Sequence, residues 1–490
     1  MSTQTLATAS LALLTDLYQL TMAYGYWKAG MADREAVFHL FFRKHPFKGG
    51  FTVSCGQQPA FDYLEGFRFT TEDVDYLRTL AGNDDRPLFE ERFLQYLRET
   101  PLSVEVDAMP EGTVAFPHEP IMRVKGPLLQ CQLLETPLLN IVNFQSLIAT
   151  KAARICMAAQ GEPILEFGLR RAQGIDGSLA ASRAAHVGGC AATSNVLAGR
   201  LYGIPVKGTH AHSWVMSFEE EREAFDTYAA AMPNNCVFLV DTYDTLQGVR
   251  EAIAVGSRLR QQGHEMVGIR LDSGDLAWLS IKARKLLDEA GFQGAAIVAS
   301  NDLDEHLIQS LKAQGAKIGV WGVGTKLATA YDQPALGGVY KLAAIREGTG
   351  QWRYTVKLSE QAVKISNPGV QQVARFSEGG RFVGDALYNV AKPPEAGQPL
   401  TMVDPADPNR AMRFASHLDK RMLLEPAFRG GRRVAAAESL GSVRGRVQSE
   451  LEGFHGGVKR FDNPHSYPVG LEQGLHDLKN RLIRKARGMT

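Results

Sequence analysis

No lysine or arginine occurs before Lys28, so the start lacks both the charged leader of a secretory signal and the arginine-rich pattern of a transit peptide. No apolar run approaches the roughly 18 residues that span a bilayer. Cysteine is scarce: Cys55, Cys131, Cys156, Cys190 and Cys236 are odd in number, scattered, and form no C-x-x-C. That argues against a disulfide framework or a zinc knuckle. Charge of one sign is also missing, because 54 Lys+Arg stand against 53 Asp+Glu over 490 residues. Neither nucleic acid nor a membrane is therefore expected as partner, and the expectation is a reduced, cytoplasmic protein of two or three domains.

Glycine is plentiful, at 48 residues, and clusters between 160 and 340. Short runs rich in β-branched residues recur there: Pro163–Phe167, Ile204–Lys207, Cys236–Val240, Met266–Leu271, Ala295–Ala299, Lys317–Trp321 and Gly338–Leu342. Helical spacing fills Leu246–Arg260, Leu276–Ala290 and Leu303–Ala313 between them. Strand and helix alternating at roughly 30-residue intervals predict βα units and a parallel sheet, closed as a barrel. An open doubly wound sheet is the alternative.

The flanks differ. Ala36–Phe42, Ser103–Ala108, Val114–Phe116 and Ile121–Val124 read as strands, with helices at Thr71–Leu80 and Leu88–Arg98, in a proline-punctuated α+β layer. Trp352–Leu358 and Arg375–Phe382 are further candidate strands, Glu360–Pro368 and Asn389–Pro408 candidate loops, and Gly470–Arg487 a basic amphipathic helix. Residues 1–12 are expected to be disordered. The implied domains are 1–145, 146–345 and 346–490, the last packing on the other two.

In parallel βα architectures function collects where strands end. Here those ends read Gly168-Leu-Arg170-Arg171, Gly208-Thr209-His210-Ala-His212-Ser213, Asp241-Thr-Tyr-Asp244, Asp272-Ser-Gly-Asp275, Ser300-Asn301-Asp302 and Gly322-Val-Gly324-Thr325. Glycines in the last of these let backbone N–H groups converge on a phosphate, with Thr325 adding a hydroxyl; a plain strand-to-helix turn is the competing reading. Gly337-Gly338 could close round the same phosphate or form a simple β-turn. Arg170, Arg171 and Arg270 suit carboxylate or phosphate oxygens, unless they pair with Glu166, Asp241 or Asp272. Asp272 suits sugar hydroxyls or Mg²⁺, the N-cap of the following helix falling to Ser273 or Asp275. His210 and His212 form an H-x-H that allows a metal pair, a single reactive histidine, or a core histidine.

With these motifs the chain resembles the nicotinate phosphoribosyltransferase family. The resemblance also rests on Thr15-Asp16-Leu-Tyr18-Gln-Leu-Thr21-Met22, on Glu166-Phe167-Gly-Leu-Arg170-Arg171-Ala-Gln173-Gly174, and on Asn463-Pro464-His465-Ser-Tyr467-Pro468. It implies a type II phosphoribosyltransferase fold: an irregular α/β barrel with an additional α+β domain built from N- and C-terminal segments, in a homodimer. It also implies transfer of phosphoribosyl from 5-phosphoribosyl 1-diphosphate to nicotinate, with ATP as co-substrate, His212 as phosphohistidine, and Mg²⁺ or Mn²⁺ held mainly by substrate and by Asp272. On the same resemblance Tyr18 would reach across the dimer interface to stack on the pyridine ring opposite Phe167. Read from its residues alone, Tyr18 would be a core residue of an amphipathic helix. Thr209 and Arg270 would contact nicotinate, Arg170 would hold substrate, and Gly324, Thr325, Gly337 and Gly338 would surround phosphate. Ser194 stands where a related nicotinamide-using branch has an aspartate; its hydroxyl would donate to the nicotinate carboxylate or cap the helix that follows.

Overall fold

Strand Ile164–Glu166 lies between the first and the last of its neighbours in chain order. On one side it pairs in parallel with Ala192–Thr193, and on the other with Val320–Val323. From there the sheet continues through Ala296–Ala299 and Gly268–Leu271 to Val237–Leu239, every pair parallel. A parallel bridge from Thr193 to Val206 adds a further position beyond Ala192–Thr193. Read cyclically, the order is sequential, as in a barrel. The seam lies between Val206 and Val237–Leu239, where no ladder forms. Part of that gap is spanned by His210, whose Nε2 accepts the Leu239 N–H at 3.2 Å.

This computed structural model describes residues 11–361 and 364–489. The expected disorder of residues 1–12 falls largely outside them; Leu11 and Ala12 are described, and Ala12 is buried. The chain divides into two compact units: Ile148–Pro334, which holds the irregular α/β barrel, and Met1–Leu147 with Ala335–Thr490.

Helices Thr245–Gln261, Leu276–Glu289 and Glu305–Ala313 follow successive barrel strands and start at capped ends. Asp244, Asp275 and Asp304 each accept a backbone N–H of the first turn, satisfying donors the helix leaves open. The cap after the D-S-G-D turn thus goes to Asp275, and Asp272 is left free of that role.

In the other unit an antiparallel seven-stranded sheet interleaves both chain ends. Its order is Arg353–Tyr354, Gly338–Arg346, Glu35–Phe42, Met122–Pro127, Glu105–Ala108, Glu425–Arg429 and Arg432–Arg433. The strand expected at Gly338–Leu342 therefore belongs here and not to the parallel sheet: it runs antiparallel to Glu35–Phe42, with Gly338 opposite Phe42. A β-branched run cannot declare its partner, since both neighbours satisfy the same backbone groups. The barrel strand missed instead is Ala192–Thr193, two residues whose small side chains give no periodic signal.

The second sheet of this unit has six strands. Arg375–Phe382 straddles two of them, Gln371–Glu378 and Arg381–Asn389, which turn at Gly379-Gly380 with both φ positive (+55° and +78°). Leu400–Val403 is a strand within the segment read as a loop, 389–408. Of Trp352–Leu358 only Arg353–Tyr354 pairs, and the loop expected at 360–368 includes residues outside those described. Strand Val469–Glu472 precedes the C-terminal helix, which occupies Gln473–Ala486.

At the centre of this unit lies Arg375, fully buried, bonded to Asp385 (2.6 Å) and Glu450 (2.7 Å) and ringed by Phe116, Phe382, Phe454 and Tyr467. Tyr467 donates its hydroxyl to Asp385 at 2.9 Å. A buried cation is tolerated only with such complete pairing.

Candidate active site

The carboxyl ends of strands Ile164–Glu166, Ala192–Thr193, Gly268–Leu271, Ala296–Ala299 and Val320–Val323 open, with the segment 208–211, on one cavity of about 450 Å³. Three arginines, Arg170, Arg171 and Arg270, face it together with Asp272 and Asp302. Its floor is mixed, with Phe167 beside glycines 322 and 324. A Cβ at Gly322 would stand 2.7 Å from the Phe167 ring, and one at Gly324 3.2 Å from the Phe167 carbonyl. These glycines therefore also make room for Phe167, a packing role beside the proposed phosphate turn.

Glu166, essentially buried, organises the first rim loop. Its carboxylate accepts the Gly168 N–H, the Ser182 hydroxyl at 2.8 Å and the Thr193 hydroxyl at 2.6 Å. Its backbone carbonyl accepts the Ser194 N–H at 2.9 Å. With its lone pairs engaged this way, Glu166 is not the counter-ion of Arg170 or Arg171. Those two are exposed, and among the described residues no carboxylate pairs with them, nor with Arg270. Ser194 does not cap the following helix: Asn195 does, accepting the Ala198 N–H at 3.2 Å. Ser194 lines the cavity instead.

Arg270 rises from strand Gly268–Leu271 and donates through one terminal nitrogen to the Thr209 hydroxyl. Burial lowers its pKa, offset by the nearby carboxylates of Asp272 and Asp241 and reinforced by Arg170. Its Nε is buried with no partner. A desolvated, incompletely paired guanidinium facing a cavity is suited to receive an anion.

Asp272 is held from two sides. Its N–H donates to Asp241 at 2.8 Å, and its carboxylate accepts the Ser300 hydroxyl. His212 stands beside it with Nε2 3.7 Å from the Asp272 carboxylate and Nδ1 3.1 Å from the Thr242 hydroxyl. The two histidines of the H-x-H are not alike. His210 is buried against Phe225, Tyr228 and Phe238, and burial pushes its pKa down to about 4, so it is a neutral core residue. Among the described residues no three His, Cys, Asp or Glu side chains gather in a way that could hold a metal ion.

Phe167, Arg170, Ser194, Thr209, Arg270, Asp272, Gly324 and Thr325 thus share one cavity, with His212 at its edge. Tyr18, Gly337 and Gly338 belong to the other unit. Tyr18 is 49 % exposed on helix Leu17–Lys28, whose buried face is Gln19, Leu20 and Ala23, so it is not a core residue. Gly338 opens its strand, where a Cβ would run into the Asn143 side chain. Asp241, Thr242, Ser300 and Glu166 shape the site without having been singled out for it. Glu166 ends its strand and the other three lie one to three residues beyond theirs, which was the available signal.

Family models for the N-terminal domain of nicotinate phosphoribosyltransferase, the nicotinate phosphoribosyltransferase family and its C-terminal domain match residues 13–143, 163–351 and 370–479. Nicotinate phosphoribosyltransferase of Bacillus subtilis is 45% identical over 484 residues, 96% of this chain and 97% of the relative. The Homo sapiens enzyme is 37% identical, with 97% of each chain covered. A crystal structure of human nicotinic acid phosphoribosyltransferase superposes with a TM-score of 0.83 at 35% identity, covering 96% of this chain and 99% of that one. On coverage, identity and fold together, the chain belongs to the nicotinate phosphoribosyltransferase family.

Proposed function

We propose that the chain transfers the phosphoribosyl group of 5-phosphoribosyl 1-diphosphate to the ring nitrogen of nicotinate, forming nicotinate mononucleotide and pyrophosphate in NAD biosynthesis. ATP hydrolysis is coupled to the transfer through phosphorylation of His212. The observation that carries this reading is the meeting of Arg270, Arg170, Asp272 and Thr325 at one cavity mouth with His212 beside it.

In the reaction the bond from the anomeric carbon to the diphosphate oxygen breaks, and the pyridine lone pair forms the new bond to that carbon. No proton need move and no side chain attacks the sugar. Positioning and stabilisation of the leaving charge do the catalytic work. Arg270, with its unpaired Nε, receives the nicotinate carboxylate beside Thr209. Phe167 and, from a second subunit, Tyr18 sandwich the ring. Ser194 donates to the carboxylate, where an aspartate would repel it and favour the amide. Thr325, with backbone N–H groups of Gly324 and its neighbours, takes the 5-phosphate. Arg170 balances the diphosphate.

Mg²⁺ or Mn²⁺ fits the oxygen donors present, since Asp272 offers a half-exposed carboxylate and no all-protein cage exists among the described residues. Such an ion, when bound, would supply positive charge to offset that of the leaving diphosphate. Asp272 would hold it and the ribose hydroxyls. Thr242 engages His212 Nδ1, which leaves Nε2 as the nitrogen that accepts a phosphoryl group from ATP as ADP departs. The added charge, roughly two units at neutral pH, changes the affinity of the arginine-lined mouth for diphosphates.

The homodimer and a cytoplasmic location belong to the same reading; no helix among the described residues is long and apolar enough to cross a membrane. Pyrophosphate release from nicotinate and phosphoribosyl diphosphate, with and without ATP, tests it. Release that needs nicotinate and is accelerated by ATP is expected; no release with either would overturn the assignment, and equal turnover of nicotinamide would overturn the substrate.

A further inference from the structure

The motif Asn463–Pro468 takes no part in the barrel-mouth chemistry; its Tyr467 instead closes one side of the buried Arg375 cluster. Three carboxyl groups meet there, each from a different stretch of chain. Glu119 comes from the turn before strand Met122–Pro127, Asp385 from strand Arg381–Asn389 and Glu450 from helix Leu440–Gly453. The side chains of Glu119, Asp385 and Arg375 are sealed from solvent, and that of Glu450 nearly so. All of them belong to the unit of N- and C-terminal segments.

Among the described residues two guanidinium groups answer these three acids. Arg375 spends every nitrogen: Nε on Asp385 at 3.0 Å, one terminal nitrogen on Glu450 at 2.7 Å, the other on Asp385 at 2.6 Å and the Val114 carbonyl at 2.8 Å. Arg421, from strand Asp419–Met422, holds the second oxygen of Glu450. Glu119 is left over. Its Oε2 accepts the Phe116 N–H at 2.8 Å and lies 4.0 Å from the Arg375 guanidinium. Its Oε1 is buried with no hydrogen-bond partner. Within hydrogen-bond reach of this carboxyl stands that of Asp385. Two carboxylates cannot bond to each other, because both only accept; a proton on one turns the contact into donor and acceptor. Asp385 already accepts from Arg375 and Tyr467, so the proton falls to Glu119.

We infer that Glu119 is a neutral acid at physiological pH, that it donates its proton to Asp385, and that this proton is a pH-sensitive clasp between the N-terminal turn and the C-terminal sheet. With the proton in place the charges balance, Arg375 and Arg421 against Asp385 and Glu450. Without it a third negative charge sits buried beside Asp385 with no cation of its own. Burial first and the charge of Asp385 next raise the Glu119 pKa well above the usual carboxyl range, against the opposing pull of Arg375. The other titratable groups nearby do not take over this role. Burial and Asp385 raise Tyr467, which keeps its hydroxyl proton. Burial above all holds His45 and His118 down to about 3 and about 4, so both are neutral above pH 6.

Glu119→Gln tests the clasp, because the amide keeps the shape, an acceptor for Phe116 and a donor toward Asp385 without a removable proton. The unfolded-state pKa of the glutamate is about 4.3, so its folded-state value lies above it and the stability it contributes fades as pH rises. The ratio of unfolding constants in urea, wild type over Glu119→Gln, is expected to rise about tenfold for each pH unit between pH 6 and pH 8. A ratio constant across that window would overturn the clasp. Infrared spectra of the full chain at pH 8 should show the carbonyl stretch of a protonated carboxylic acid in the wild type and lose it in Glu119→Gln. Absence of that band from the wild type, or its persistence in the variant, would overturn the neutral acid. So would failure of Glu119→Gln to fold at pH 6, where the amide is expected to replace the acid.

Discussion

His212 Nε2 lies 3.7 Å from the Asp272 carboxylate, and Asp272 in turn is fixed by the Asp241 carboxylate and the Ser300 hydroxyl. The histidine and the acid come from different strand ends, so the barrel sets their separation. Replacing His212 by Ala removes the proposed phosphoryl acceptor and leaves the arginines in place. Stimulation of the initial rate by ATP should vanish while ATP-independent pyrophosphate release persists. Undiminished stimulation in His212→Ala would show that coupling runs elsewhere.

Ser194 lines the cavity and leaves helix capping to Asn195. Ser194→Asp would place a carboxylate against the nicotinate anion. The ratio of kcat/KM for nicotinate over nicotinamide should fall by roughly 10- to 100-fold, the range expected when a donor becomes a like charge. Steady-state kinetics with both substrates checks this, and unchanged discrimination would remove Ser194 from the specificity argument.

Glu221 begins helix Glu221–Ala231 with its carboxyl pKa pushed up to about 7, by burial first and then by Glu251, Asp241 and Asp244. Its folded-state pKa lies above the unfolded value, so the folded chain binds the extra proton. Its contribution to stability is then lost as pH rises from the unfolded pKa of about 4.3 through about 7. Glu221→Gln should therefore gain on the wild type in urea midpoint at pH 8 and not at pH 4. A constant difference across that window would contradict the assignment.

Arg375 balances the buried carboxylates of Asp385 and Glu450. Arg375→Met would leave Asp385 buried without its cation and Glu450 with Arg421 alone, at a cost of about 3–5 kcal/mol. Calorimetry should show a clear fall in melting temperature. A change smaller than that of a typical surface substitution would mean that the carboxylates take up protons at little cost.

The chain's own pattern fixed the βα rhythm from 160 to 330, because alternating apolar runs and capped helices are local signals. Asp244 and Asp275 at the heads of their helices are examples. The polar strand ends were legible for the same reason: a residue directly after a parallel strand must face the rim, whichever strand lies next door. Thr209, Arg270, Asp272, Thr325 and the His210-Ala-His212 pair followed from their places at strand ends, while Ser194, Tyr18 and the choice of His212 as the reactive histidine needed the family resemblance.

Pairing partners were decided only by the tertiary structure. Gly338–Arg346 reads like a barrel strand, yet it lies against Glu35–Phe42, some three hundred residues upstream. Ala192–Thr193 is a strand only because Ile164–Glu166 accepts it. The two histidines of His210-Ala-His212 look equivalent in sequence. Packing against Phe225, Tyr228 and Phe238 makes one a neutral core residue, while the other stands beside Asp272. Local sequence sets which backbone conformations and faces are available; burial, charge and hydrogen-bond partners depend on what the rest of the chain brings alongside, and those forces assign the chemistry.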